Sequence, residues 1–308
     1  MDLNCTQAAL NPPPSRTIGA TSSRAVTRRL FAYLELTKPR VTALILVVAW
    51  AGFWCASGGI PDRGLLLVTM AGLALLASGM FALNHFMERD LDALMQRTQS
   101  RPLPSGRLKP SEALWFGIVT AIAALFVLSL INVLTAVLGL LTLASYLLLY
   151  TPLKRRTPRC TFIGAFPGAM PPLVGWVAAR NELGLEALGL FAIVFLWQFP
   201  HFHSIAYLYR EDYARSGVRM WPVVEPGGRV MGRQIVAAAA LLVPASLLPT
   251  PLGMSGQLYA FGALLMGAAF LFVSFQMAVL PGRRQAQRLL LASVVYLPAL
   301  LLLMLLNR

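Results

Sequence analysis

Nine apolar runs, each close to 20 residues long, follow one another along this 308-residue chain. They lie near 41–59, 64–86, 113–131, 133–150, 162–179, 186–206, 234–250, 258–280 and 288–306. A helix needs about 20 apolar residues to cross the hydrocarbon of a bilayer. Within that layer only helices and closed barrels satisfy their own backbone hydrogen bonds. The runs therefore predict an all-α polytopic membrane protein, a nine-transmembrane-helix bundle. Composition excludes one large soluble core: 57% of residues are hydrophobic and 12% charged, against about 25% charged in a soluble domain. Short breaks at 58–61 (GGIP) and at Asn132 predict tight turns between successive spans.

The formal net charge is +14. In a soluble chain that would raise nucleic acid as a partner. Here 23 of the 26 Lys and Arg residues fall in the N-terminal segment and the loops 87–112, 151–161, 207–233 and 281–288, leaving Arg63, Arg180 and Arg308 for the other side. Such a split marks the rich side as cytoplasmic, so the partner expected is the lipid bilayer and no nucleic acid. An odd number of spans then predicts a cytoplasmic N-terminus and a periplasmic C-terminus. Residues 1–30, with PPPS and TSSR, read as a disordered cytoplasmic tail before a transmembrane domain at 31–308. The tail is also Arg-containing and poor in acids, as transit peptides are, and it lacks an apolar secretory core. Cys5, Cys55 and Cys160 have no metal-binding spacing and read as thiols.

One polar stretch stands out at the end of the second run: FALNHFMERDLDALMQRTQSRPLPSG, residues 81–106. If 83–95 continues as helix, Asn84, Glu88 and Asp92 recur every four residues and share one face. An amide and two carboxylates in a row suit Mg²⁺, which takes one or two carboxylates and leaves its other positions to water and phosphate. Arg89, Arg97 and Arg101 beside them can grip phosphate oxygens in a fork that lysine lacks. Asp90 points elsewhere and is expected to orient an arginine. The plainer reading is a solvated helix end with ion pairs. It does not require an amide and two acids on one stripe at the bilayer edge, where ionisable groups are costly.

A second polar stretch, FPHFHSIAYLYREDYARSGVRMWPVV (199–224), follows the sixth run, four helices later. That recurrence hints at an internal duplication. Glu211 and Asp212 there could face the first motif and bind a second metal, although adjacent residues point apart on a helix. Arg210, Arg215 and Arg219 are candidates for anionic groups of a substrate. His201 and His203 stand about 200° apart on a helix and cannot grip one metal together. Each reads best as a hydrogen-bonded histidine, with His201 a candidate to touch substrate. His85 reads as a helix-end residue. The basic loop YTPLKRRTPR (150–159), with Lys154 and Arg155, is an anion clamp or a topology signal alone.

At these residues the chain resembles the UbiA-type intramembrane prenyltransferases. The stretch from Asn84 to Gly106 is similar to their first acidic motif. ELTKPRV (35–41), YTPLKRRT (150–157) and the 197–224 segment resemble the haem-farnesylating branch of that superfamily, from about residue 30 to the last span. The resemblance implies a helical bundle around a cavity open to cytoplasm and lipid. It implies farnesyl transfer from farnesyl diphosphate to a vinyl group of haem b, with water adding to give haem O for terminal oxidases, and Mg²⁺ as cofactor. It further implies a bacterial inner-membrane location and contact with haem A synthase or terminal-oxidase assembly. Asn84, Glu88 and Asp92 then carry catalysis and the metal, joined on the metal side by Glu211 and Asp212. Arg89, Arg97, Arg101, Lys154, Arg155, Arg210, Asp212, Arg215 and His201 meet diphosphate or the haem propionates. Two departures are visible: Glu88 replaces the usual Asp, and Glu211–Asp212 is an adjacent pair rather than Asp-x-x-x-Asp. The competing readings are another aromatic or quinone prenyltransferase and a transporter of an anionic substrate; the scarcity of mid-span charge disfavours the transporter.

Overall fold

The computed structural model describes residues 18–307, and helices account for nearly all of their regular structure. In chain order they are α1 (Ile18–Leu36), α2 (Pro39–Ala56), α3 (Arg63–Ala93), α4 (Pro110–Ser129), α5 (Val133–Ala144), a π-helical stretch (Ser145–Tyr150), α6 (Thr151–Leu153), α7 (Cys160–Arg180), α8 (Leu185–Leu208), α9 (Arg210–Ser216), α10 (Trp221–Val224), α11 (Arg229–Leu247), α12 (Gln257–Val279) and α13 (Arg283–Leu306). Among the described residues nine segments are long and apolar enough to cross a membrane: α2, α3, α4, the run Val133–Leu153, α7, α8, α11, α12 and α13. They match the nine predicted runs one for one.

The bundle packs a core that includes Phe53, Trp176, Tyr259 and Phe270 and also turns many large apolar side chains outward. Trp115, Val119, Ile122 and Phe126 form one exposed stripe on α4, and Phe261, Leu265, Phe272 and Phe275 are exposed on α12. A soluble monomer would not expose apolar patches of that extent; against lipid they are solvated. α3 packs along α4, α2 along α7, and α8 against α7, α11 and α13. Three prolines lie inside α7, at 167, 171 and 172. They are tolerated because neighbouring helices surround it. The α2–α7 contact brings backbones together: a Cβ on Gly52 would lie 2.1 Å from the Pro172 carbonyl oxygen, and one on Gly175 would lie 2.0 Å from that of Ala49.

The loops meet at the two ends. At one end Arg219 donates its backbone N–H to the Lys154 carbonyl at 2.8 Å, and Asp212 accepts from the backbone N–H groups of Gln96 and Arg97 at 3.2 and 3.4 Å. Three of the basic loops therefore share one end. At the other end Arg180 Nε donates to the Ala56 carbonyl at 2.8 Å, joining the C-termini of α2 and α7.

Residues 1–17 of the expected 1–30 tail lie outside the described residues, as does Cys5, but from Ile18 the chain is the helix α1. Its polar average hides a pattern: Val26, Leu30 and Leu34 fall on one stripe and are exposed, while Ala32 and Leu36 are fully buried against Ala82, Leu103 and Leu108. Arg29 pairs with Glu112, and Arg107 reaches Glu35 at 2.7 Å. Amphipathic spacing, which composition averages away, makes this segment structural. Cys160 is buried beside Met220.

The close α2–α7 approach is testable. Gly52→Ala puts a methyl group into backbone that cannot swing aside, so it should cost about 1–3 kcal/mol, as overpacking does. Thermal unfolding in detergent should show a lowered midpoint, whereas Gly59→Ala, with nothing within 4 Å of the new Cβ, should leave it unchanged.

Candidate active site

α3 runs unbroken for 31 residues, so the first polar motif stands on rigid helix. Asn84, Glu88 and Asp92 share its inward face and are all buried, Asp92 to 1% exposure. Each is met by a cation from another segment. Lys154 Nζ lies 2.8 Å from Glu88 Oε1. Arg101 Nη1 bridges both Asp92 oxygens at 2.8 and 2.7 Å. Lys38 Nζ donates to Asn84 Oδ1 at 3.3 Å, and Asn84 Nδ2 donates to Thr151 Oγ1 at 3.3 Å. Two bare carboxylates could not be buried this way, because an uncompensated charge costs several kcal/mol.

Local backbone devices aim these groups. Pro152 lacks an N–H, which favours a break in the regular ladder ahead of it. The ladder there widens to π-helix, with the Thr151 N–H reaching the Tyr146 carbonyl five residues back. That extra residue turns Thr151 and Lys154 toward α3, the kind of use single π turns often serve. Lys154 also lies over the Tyr150 ring, 4.4 Å from its centroid. Burial opposes its charge, but Glu88, with Tyr150 and Tyr146 behind it, wins and holds its pKa well above the ordinary lysine value.

Lys38 is the site residue that sequence reasoning did not single out. It sits between α1 and α2 with φ 47° and ψ 61°, a left-handed conformation that costs a residue with a Cβ. The following Pro39 disfavours the helical alternative. Its ammonium group lies 4.6 Å from the Phe81 centroid, and burial, then Arg101 and Lys154, push its pKa down to about 7. The signal was ELTKPRV itself: a lysine fixed by proline at a helix start.

The other candidates divide. Arg97 lies over the Tyr209 ring at 5.0 Å and, with Arg101, Lys38 and His85, lines a cavity of about 670 Å³ whose apolar wall includes Phe31 and Leu34 of α1. His85 is not a helix-end residue as expected. It lies two turns inside α3, buried, with neither ring nitrogen bonded. Arg89 turns away, donating to the Phe86 carbonyl at 2.9 Å, with exposed Asp90 beside it at 3.7 Å. Arg155 is exposed. Arg210 lies over Tyr207 at 4.6 Å. Glu211 is exposed while Asp212 is buried, so the adjacent pair does not converge. Asp212 instead caps the turn at Gln96 and Arg97 and pairs with Arg215, tying the two polar stretches together. His201 is bonded to Ser293 and His203 to Gln234, on opposite faces of α8.

Among the described residues no three His, Cys, Asp or Glu side chains form a metal-binding group. An all-protein cage is not what Mg²⁺ requires. One amide and two buried carboxylates on one face, with cations nearby for phosphate, fit the way it is shared between protein, water and substrate.

Comparison with known proteins adds to this geometry. The pattern of the UbiA prenyltransferase family matches residues 45–304. A curated relative from Solibacter usitatus (strain Ellin6076), named protoheme IX farnesyltransferase, is 50% identical over 289 residues, covering 90% of this chain and 98% of the relative. A solved structure, described as bearing on digeranylgeranylglyceryl phosphate synthase in membranes, is similar with a TM-score of 0.78 at 20% identity, covering 91% of this chain and 98% of that one. A UbiA homologue from Archaeoglobus fulgidus, solved with GPP and Mg²⁺, gives 0.63 at 14% identity, covering 89% and 99%. At such identities the two structures speak to the fold alone.

The buried ion pair makes a stability prediction. Lys154→Met leaves Glu88 buried with only Lys38 near enough to offset it, so the loss should be about 3 kcal/mol, the lower part of the range for a broken buried pair. Glu88→Gln combined with Lys154→Met should restore most of it. Denaturation in mixed micelles checks both; a double variant no more stable than the single would show that packing, not charge, sets the cost.

Proposed function

The chain belongs to the UbiA prenyltransferase family, and from that premise we propose that it transfers the farnesyl group of farnesyl diphosphate to a vinyl group of haem b, giving haem O. The observation that carries the reading is the buried face of Asn84, Glu88 and Asp92 ringed by Lys38, Arg101 and Lys154. Allylic C–O cleavage throws negative charge onto diphosphate, and this ring is where such charge is best stabilised.

Asn84, Glu88 and Asp92 would hold Mg²⁺, which when bound neutralises the leaving diphosphate and orients it. Lys154 and Arg101, each already within 2.8 Å of a carboxylate, stand ready to meet the added negative charge of phosphate oxygens. Lys38 adds a third cation from the α1–α2 junction. Apolar walls keep water from the allylic cation until its C1 has bonded to the terminal vinyl carbon. The resulting cation on the inner vinyl carbon then takes water and loses a proton, leaving the hydroxyethylfarnesyl side chain. Diphosphate departs, so atoms and charge balance without an oxidant. The family-like relative named protoheme IX farnesyltransferase supports the choice of acceptor.

The cavity is proposed to open toward the cytoplasm of a bacterial inner membrane, because the basic loops gather at its end. The product's use by haem A synthase or a terminal oxidase makes those proteins the expected contacts.

Two outcomes test the reading. Asp92→Asn keeps size but removes charge; turnover with farnesyl diphosphate, Mg²⁺ and haem b should fall at least about 10²-fold, the scale of one lost electrostatic contact. Wild-type turnover in the folded variant would remove Asp92 from the mechanism. For orientation, a reporter fused after Arg308 should read periplasmic while one at the N-terminus reads cytoplasmic; the same reading at both ends would contradict nine crossings.

A further inference from the structure

His201 stands about two turns before the C-terminal end of α8, as Asn84 stands about two and a half before that of α3. Its ring is fixed on two sides. Nδ1 lies 2.8 Å from Ser293 Oγ on α13. Trp197, one turn earlier, stacks on the imidazole with centroids 4.7 Å apart and planes 20° apart. The same indole donates its N–H to the Ser293 carbonyl at 2.8 Å. Tryptophan, histidine and serine thus form one cross-link between two spanning helices.

The proton on this ring can be located. A serine hydroxyl has a single proton to give, and Ser293 gives it to the Leu290 carbonyl at 2.6 Å. Its oxygen can therefore only accept from His201, so Nδ1 carries the hydrogen and Nε2 carries a lone pair. No described residue bonds Nε2, and it is not among the buried unpartnered atoms, so the lone pair is not fully enclosed by protein. His203, two residues on, contrasts with it: its Nε2 is tied to Gln234 Oε1 at 2.9 Å and it is buried against α11. A neutral imidazole whose N–H is held by a neighbour while its other nitrogen is offered outward is how proteins present histidine to a metal.

We propose that His201 Nε2 is an axial ligand to the iron of the acceptor haem, holding the macrocycle so that a rim vinyl group points toward the Asn84–Glu88–Asp92 face. This rests on the farnesyl-to-haem reading above and goes beyond it by fixing where the iron sits. His201 takes no part in the diphosphate chemistry. Ser293 acts through His201 as a positioning residue, and Trp197 supplies an aromatic surface beside the ring.

The test uses the purified full-length protein in detergent, titrated with haem b, then reduced and examined by resonance Raman and by absorption under carbon monoxide. Binding of radiolabelled farnesyl diphosphate with Mg²⁺ is measured in parallel as a check on folding and on the other half of the site. Wild type should bind haem saturably and show an iron–histidine stretch. His201→Gly should lose that band while keeping farnesyl diphosphate affinity within about twofold, and added imidazole should restore a five-coordinate, imidazole-ligated spectrum. Ser293→Ala should keep the band, shift it, and weaken haem binding by about 10-fold, the lower end for loss of a partner behind a metal-ligating histidine. An unchanged band in His201→Gly, or an unchanged band and affinity in Ser293→Ala, would overturn the assignment and leave the farnesyl-transfer reading standing. A wild-type protein that binds farnesyl diphosphate but no haem would overturn that reading itself.

Discussion

Two carboxylates buried at the edge of a bilayer are the constraint around which the polar end of this protein is arranged. Glu88 and Asp92 sit on the buried face of a mostly apolar helix, and neither can remain charged there unless cations reach it. Lys154 arrives from the loop after the fourth span and Arg101 from the loop after the second. Lys38 arrives from the junction before the first. Satisfying two acids and one amide thus pins three segments onto one helix face. Asp212 does the same for a fourth segment, with backbone rather than side-chain partners on the first loop.

On the proposed reading that convergence matters for chemistry, because charge at the site is compensated before substrate arrives. A diphosphate would bring several negative charges into surroundings of low dielectric, where preset cations act more strongly than they would in water. The protein meets the cost of keeping Lys38, Arg101 and Lys154 together by giving each an acid, an amide oxygen or an aromatic face to rest on. The strained backbone at Lys38 and the π turn before Lys154 are local departures from regular structure that aim these groups. Both occur next to prolines, which remove the regular alternative.

α8 separates two kinds of polar side chain within the membrane. Gln198 closes a hydrogen bond to α7 and His203 one to α11, each tying α8 to a different neighbour. His201 is held by Ser293 of α13 through Nδ1, while its Nε2 has no partner among the described residues. Polar groups in a membrane are expensive unless bonded, so a histidine clamped on one side and unbonded on the other invites a ligand.

The sequence by itself determined the nine spans, because a bilayer demands long apolar helices and leaves few other solutions. It also determined that Asn84, Glu88 and Asp92 share a face, since helical spacing alone does that. What it obscured were features set by contacts between distant segments. α1 looked like a polar tail because its apolar residues are spaced, not clustered. Glu211 and Asp212 looked like a second metal site until the helix turned one outward and put the other under a neighbouring loop. Lys38 gave no periodic signal; its importance comes from Asn84 and Phe81 lying beside it across a fold. Likewise the tautomer of His201 depends on a serine 92 positions away. Secondary structure in a membrane follows from local hydrophobicity, but the partner of a buried charge or ring nitrogen exists only once the helices have packed.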